Sequence, residues 1–207
     1  MKAIVVCTAA LVAGLGASWC TWHVYQTHPL LELPDVDLSA APTAVKTAIQ
    51  NARKAVVAAP RSGTAWGELG LSLRAHKFDR EANLCLVRAM RFDPREITWP
   101  YVRGSSLSLR DRPEAERCFR IAASLRPDLA LPRLRLAELY LEQRRLDEAK
   151  SELDAAIKIE PESARAMLAL AQVAFARGEL DAARKWAEDS FARDSTQRTT
   201  VEVLLRI

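Results

Sequence analysis

The sequence predicts an all-α protein built from repeated helix pairs, and three observations support this prediction. Ala, Leu, Arg and Glu abound in the 207-residue chain and only seven residues are Gly, a composition that favours helices. After residue 30 no run of β-branched residues alternates with period two, as a half-buried strand would require. Between residues 63 and 197, the same order of large and small apolar residues recurs about every 34 residues.

The clearest repeat spans residues 63–96. Its key positions are Trp66, Leu69, Gly70, Leu73, Ala82, Leu86, Ala89 and Pro94. The small residues let two helix backbones approach closely, and the large ones fill the space between them. Pro94 cannot continue a helix, so the repeat ends there.

This pattern, W-x2-L-G-x2-L followed by A-x3-L-x2-A and proline, resembles the tetratricopeptide repeat (TPR), with all eight positions in one 34-residue frame. The resemblance covers residues 43–207. It implies an α-solenoid in which each repeat contributes an antiparallel pair, helix A and helix B, wound into a right-handed superhelix. The phrases AVVAAPRSGTAWGELG and LRLAELYLEQRRLDEA are also similar to TPR segments of exported bacterial proteins.

Further repeats follow in the same register. The predicted units are a capping half-repeat at 43–60, full repeats at 63–96, 97–129, 130–163 and 164–197, and a partial fifth repeat or cap at 198–207. In the half-repeat, Ala48, Ala52 and Ala55 have the spacing of helix B. The second full repeat is one residue short, and we expect the deletion in the turn near Asp111–Pro113.

The N-terminal segment, residues 1–27, predicts membrane insertion or export. Ala3 to Tyr25 is a stretch of 23 residues without a charge, and a membrane-spanning helix needs about 20. Lys2 precedes this apolar helix, which predicts a single-pass anchor with the TPR domain on the periplasmic side. A cleaved signal peptide, leaving a periplasmic or secreted protein, stays open as the alternative. Residues 28–42 carry three prolines and are predicted to be a linker.

Composition and motifs argue against several classes of function. The net charge is only +4, with Arg scattered among Glu and Asp, so specific nucleic-acid binding is not predicted. No CxxC, Cys/His cluster, phosphate-binding loop or nucleophile motif occurs, so we predict no cofactor, no metal and no enzymatic activity. Cys85 and Cys118 are predicted to be small packing residues rather than a disulfide, because adjacent helices pack about 8–10 Å apart.

The TPR resemblance implies a concave groove lined mainly by the A helices, where a protein or peptide partner binds. The predicted groove residues are Leu71, Arg74, Tyr101, Ser105, Leu134, Glu138, Leu141, Gln172 and Phe175. The carboxylate clamp of chaperone-binding TPR proteins is absent, because Gly67 and Leu71 stand where it needs Lys and Asn. The largely apolar lining favours an amphipathic helix or an extended apolar peptide. Leu131 and Leu168 have a second interpretation as packing residues between helices.

The sequence therefore predicts a non-enzymatic protein-interaction scaffold, exported or membrane-anchored, within a periplasmic or envelope assembly. The alternative is a structural adaptor that forms homo-oligomers through its apolar C-terminal edge. A further hypothesis is that the segment LLELPDVDL, residues 30–38, folds back into the groove.

Overall fold

The computed structural model describes residues 32–196, and this part of the chain contains nine helices and no strand. The helices are α1 (Thr43–Ala58), α2 (Gly63–Ala75), α3 (Asp79–Phe92), α4 (Thr98–Leu107), α5 (Arg112–Leu125), α6 (Ala130–Glu142), α7 (Leu146–Ile159), α8 (Ala164–Arg177) and α9 (Leu180–Arg193). Connections of two to five residues join them, and loops this short make successive helices antiparallel. The all-α prediction is confirmed for these residues. The predicted N-terminal apolar helix and the segment 198–207 lie outside them.

The chain divides into two compact units, one ending at Cys85 and the other beginning at Leu86, within α3. In the first unit α1 packs against α2. Trp66 on α2 is fully buried, and its indole N–H donates to the Pro60 carbonyl oxygen at 2.8 Å. This bond satisfies the polar edge of the largest side chain among the residues described in this unit.

The packing face of α1 differs from the predicted one by one residue. Ile49 and Val56 are buried, whereas Ala48 and Ala55 are exposed. Turning the larger aliphatic side chains inward removes more apolar area from water. The alanine spacing of helix B was therefore the wrong guide to the inward face of α1.

The described part of the linker, residues 32–42, is non-helical, as its prolines predict. It runs beside α1: Arg53 Nη1 donates to the Pro34 carbonyl oxygen at 3.0 Å, and Lys46 Nζ donates to the Ser39 carbonyl oxygen at 2.9 Å. These two hydrogen bonds hold residues 32–42 against α1.

In the second unit, each helix from α4 to α9 packs against the next, and α6 also contacts α8. Phe119 and Tyr140 are the largest side chains of this core, and leucines such as Leu136, Leu153 and Leu170 pack with them. The row of A helices α4, α6 and α8 is thereby held against the B helices α5, α7 and α9.

Three of the turns from helix A to helix B share one geometry. Lys77, Arg144 and Gly178 have positive φ angles of 68°, 60° and 79°. In each case the next residue donates its backbone N–H to the carbonyl oxygen five residues earlier, at 2.9–3.0 Å, which is the Schellman closure of a helix C-terminus.

The turn after α4 is different. Helix α4 has only 10 residues, against 13 or 14 in α2, α6 and α8. The Asp111 N–H donates to the Leu107 carbonyl oxygen four residues back. Residues 108–111 all have negative φ angles, unlike the other three turns. The shortened α4 and its different turn lie where the repeat lacks one residue.

Candidate protein-binding surface

The second unit brings seven of the predicted groove residues onto its row of A helices. They are Tyr101 and Ser105 on α4, Leu134, Glu138 and Leu141 on α6, and Gln172 and Phe175 on α8. We call this the α4/α6/α8 surface. The other two, Leu71 and Arg74, are half-buried on α2 in the first unit.

The apolar residues predicted to face inward differ widely in exposure. Phe175 is 38% exposed and Leu131 is 41% exposed, whereas Leu134 and Leu168 are only 4% and 8% exposed. Leu134 and Leu168 therefore belong to the core, and for Leu168 the packing interpretation holds. Leu131 and Phe175 are the apolar side chains that this surface presents to solvent.

Tyr101 links the α4/α6/α8 surface to the core. Its ring lies 6.0 Å from the Phe119 ring, centroid to centroid, at an interplanar angle of 59°, a tilted arrangement that aromatic pairs favour. Its carbonyl oxygen accepts a hydrogen bond from the Ser105 hydroxyl at 3.0 Å. Tyr101 is half-buried, so its ring supports the surface and exposes only part of its area to solvent.

A charged cluster crosses from α6 to α8 on the same surface. Glu138 accepts from Arg135 Nη1 at 2.8 Å and from Arg165 Nε at 2.7 Å. The guanidinium of Arg135 also lies 5.8 Å from the centroid of the Phe119 ring, within the range of a cation–π contact. The repeat register predicts that Glu138 and Arg165 point into the groove, but it does not predict Arg135 there. It does not predict the shared cluster either, because no single-helix pattern places two arginines from two helices beside one carboxylate.

Two ionic networks below this surface fix the helices that carry it. In the first, the Glu114 carboxylate joins Arg103 of α4 to Arg117 of α5. The hydrogen bond from Arg117, assisted by Arg103, lowers the pKa of Glu114 from 4.5 to about 2. Burial raises the pKa of the neighbouring Cys118 thiol, so this side chain stays neutral.

The second network joins α5 to α6 and to the turn that follows α6. Tyr140 donates its hydroxyl proton to Glu116 at 3.1 Å and accepts from Arg120 at 3.0 Å. Arg145 donates to the same Glu116 carboxylate at 2.7 Å, and its guanidinium lies 4.3 Å from the centroid of the Tyr140 ring. Burial raises the pKa of Tyr140, so its phenol stays protonated and can keep donating to Glu116.

Metal sites, disulfides and membrane-spanning helices have structural requirements that the described part of the chain does not meet. Residues 32–196 hold no group of three or more His, Cys, Asp and Glu side chains placed for a metal ion. Cys85 and Cys118 are buried and neither forms a disulfide, as predicted. Over the same residues, no helix is both long and apolar enough to cross a bilayer.

Comparisons with known proteins agree on the fold. Residues 134–196 match the tetratricopeptide repeat family, and no curated protein matches the sequence. MamA is a similar solved structure, with 20% identity and a TM-score of 0.68 over 74% of this chain and 90% of that one. YrrB, described as a TPR protein with an unusual peptide-binding site, has 18% identity and a TM-score of 0.67 over 80% of this chain and 85% of that one. Pseudomonas aeruginosa pilF has 19% identity and a TM-score of 0.65 over 78% of this chain and 74% of that one.

Proposed function

We propose that this chain, a TPR-type helical repeat protein, is a non-enzymatic scaffold that binds a peptide or helix of a partner on its α4/α6/α8 surface. The observation that carries the proposal is the exposure of Leu131 and Phe175 on A helices whose other large apolar side chains are mostly buried. A TPR protein with a peptide-binding site is among the similar structures, which supports the same mode of action.

The test is partner capture from membrane extracts with an affinity-tagged chain. Phe175→Ala and Leu131→Ala remove exposed apolar area and leave the buried core intact, so the variants should fold. We expect the double variant to lose partners that the wild type retains. Phe191→Ala is the matched control, because Phe191 lies on α9 and is 40% exposed, nearly the same as Phe175. An identical partner list for the double variant and the wild type would reject the surface.

The scaffold would work at or beyond a membrane. This proposal rests on the 23 uncharged residues from Ala3 to Tyr25 and on the contact of residues 32–42 with α1. If the apolar segment is an anchor, that contact shortens the free chain between the bilayer and α1. Processing to a periplasmic or secreted protein is the alternative, and an envelope assembly is the setting that we propose in either case.

A second candidate function is self-association through α9. Leu180 and Phe191 are 49% and 40% exposed, whereas Leu146 and Ile157, one 34-residue period earlier on α7, are half-buried. The equivalent apolar positions are therefore more exposed on α9 than on α7, and a second copy of the chain could cover them. Light scattering at high concentration tests this function: an oligomer that Phe191→Ala dissociates and Phe175→Ala does not would support it, and a monomeric wild type would exclude it.

A further inference from the structure

We propose that the partner segment carries a carboxylate between apolar residues, and that this carboxylate pairs with Arg165 and Arg135 on the α4/α6/α8 surface. This inference rests on the proposed function and specifies the chemistry of the partner. Its source is the cluster in which two arginines from two A helices share the single carboxylate of Glu138.

The cluster carries a formal charge of +1. The other ion pairs of α6 and α8 among the described residues hold no excess of arginine: Arg133 pairs with Glu152, and Arg177 contacts both Asp147 and Glu179. The nearest further carboxylate on α6, Glu142, is paired with Arg112. A second carboxylate would balance the two arginines, and a bound partner can supply it.

The arginines are accessible enough to bind a partner group. The Arg165 side chain is 45% exposed and the Arg135 side chain 29% exposed. Arg135 Nε has no hydrogen-bond partner among the described residues although water does not reach it. The contact with the Phe119 ring and the ion pair with Glu138 restrain the position of the Arg135 guanidinium.

Apolar side chains flank the cluster along the helix axes. Helices α6 and α8 run in the same direction, since each is antiparallel to α7. Leu131 lies one turn before Arg135, and Phe175 lies ten residues after Arg165, which is about 15 Å along the axis. An acidic side chain between two apolar anchors fits this order. An extended peptide covers the distance from Arg165 to Phe175 with about five residues, at roughly 3.3 Å each.

A peptide array measures this preference directly. Its members are 12-residue peptides in which two leucines, three to seven residues apart, flank one Glu, and two matched arrays carry Gln or Lys at that position. We expect the Glu array to bind the full chain most tightly. Arg165→Gln should weaken the Glu peptides roughly three- to tenfold and leave the Gln peptides unchanged.

Glu138→Gln separates recognition from a structural role. It removes the carboxylate that competes for both arginines, so the Glu peptides should bind more tightly, whereas a purely structural contact would only be weakened. Arg193→Gln is the control, because Arg193 on α9 makes a similar ion pair with Glu162, in the connection between α7 and α8, away from this surface. Circular dichroism checks that each variant is folded.

The inference is wrong if the Gln or Lys peptides bind as tightly as the Glu peptides, if none binds, or if Arg165→Gln weakens all three arrays alike. These failures differ from failure of the proposed function. Loss of partner capture in the Phe175→Ala and Leu131→Ala double variant, together with no preference for Glu, would leave the scaffold function standing and remove the acidic partner. Unchanged capture together with no peptide binding would remove both.

Discussion

Arg103 is only 7% exposed on α4, in a chain whose other described arginines all reach solvent to a greater extent. A buried guanidinium is tolerated when a carboxylate and further hydrogen bonds replace its hydration. Glu114 supplies the carboxylate, and the Cys118 sulfur lies 3.2 Å from Arg103 Nη1. The pairing between the first turn of α5 and the middle of α4 therefore fixes the register of this helix pair.

Glu114→Gln should destabilise the protein, because it leaves the Arg103 guanidinium buried without its carboxylate. We expect the free energy of unfolding at pH 7 to fall by about 2 kcal/mol, measured by urea denaturation. Glu162→Gln is the matched control: its side chain is 78% exposed and pairs with Arg193 at the surface, so little change is expected. Equal effects of the two substitutions would contradict a special role for Glu114.

The same carboxylate predicts a pH dependence. Its pKa is lowered from 4.5 to about 2 in the folded state, so its ionised form stabilises the fold above pH 4.5. This contribution is lost as the pH falls from about 4.5 towards about 2. Over that interval the unfolding midpoint should fall less steeply in Glu114→Gln than in the wild type. Parallel pH profiles of the two proteins would show that folding does not lower the pKa of Glu114.

At Gly104, the close approach of the Phe119 ring leaves no room for a larger side chain. A Cβ atom added there would lie 2.9 Å from Phe119 Cε1 and 3.0 Å from Cδ1, and the Phe119 ring is itself buried. Gly104→Ala should therefore lower the free energy of unfolding by about 1–3 kcal/mol. In thermal melts, adding Phe119→Leu to Gly104→Ala should recover part of the loss if the clash with the ring is the cause.

At the scale of elements, two different residues adopt the same left-handed backbone conformation in the turns that close α6 and α8. The φ angles are 60° at Arg144 and 79° at Gly178, and only glycine adopts this left-handed region without steric cost. The sequence shows Gly178 as a helix stop, but an arginine at the equivalent position, one period earlier, gives no such signal.

Reciprocal substitutions test this comparison. Arg144→Gly should raise the free energy of unfolding by about 0.5–1 kcal/mol, because it relieves the left-handed strain. Gly178→Ala should lower it by about 1 kcal/mol, although no atom lies within 4 Å of the added Cβ. Chemical denaturation measures both changes. Opposite signs are expected, and a loss of stability in Arg144→Gly would mean that the arginine side chain contributes more than its backbone costs.

The elements also show which features the sequence can specify. Helix type and the inward positions of α2 and α5–α9 follow from the 34-residue pattern, because small and large residues at fixed spacing allow one packing arrangement. The face of α1 did not follow from it, since two competing apolar spacings overlap there and Ile49 and Val56 outweigh the alanines. Ion pairs such as Arg165–Glu138 join residues 27 apart in sequence, beyond the reach of any local rule.

At the scale of the whole molecule, register predicts which direction a side chain takes but not how far neighbouring helices cover it. Leu131 and Leu134 are three residues apart on α6 and share the predicted inward face, yet one is 41% exposed and the other 4%. The difference comes from how neighbouring helices cover each position and not from the distance to the helix start, because Ala130, the first residue of α6, is fully buried. The sequence could therefore place the residues of the proposed surface on the A helices, but it could not show which of them are exposed.

The membrane proposal gives the last prediction for the whole molecule. A chain expressed without residues 1–27 keeps every residue that the structure describes, so it should fold and remain in the supernatant after ultracentrifugation. The full chain should sediment with membranes and resist extraction at high salt, because 23 uncharged residues are long enough to span the hydrocarbon core.

Protease added to intact spheroplasts should digest the repeats if they lie on the periplasmic side. Mass spectrometry of the full chain separates the two open alternatives. An intact N-terminus identifies the anchor. A new N-terminus at residue 17 or 19, after the small residues Gly16 or Ser18, together with release from membranes, identifies a cleaved signal peptide. Sedimentation of both proteins alike, or protection of the repeats from protease, would contradict the proposal.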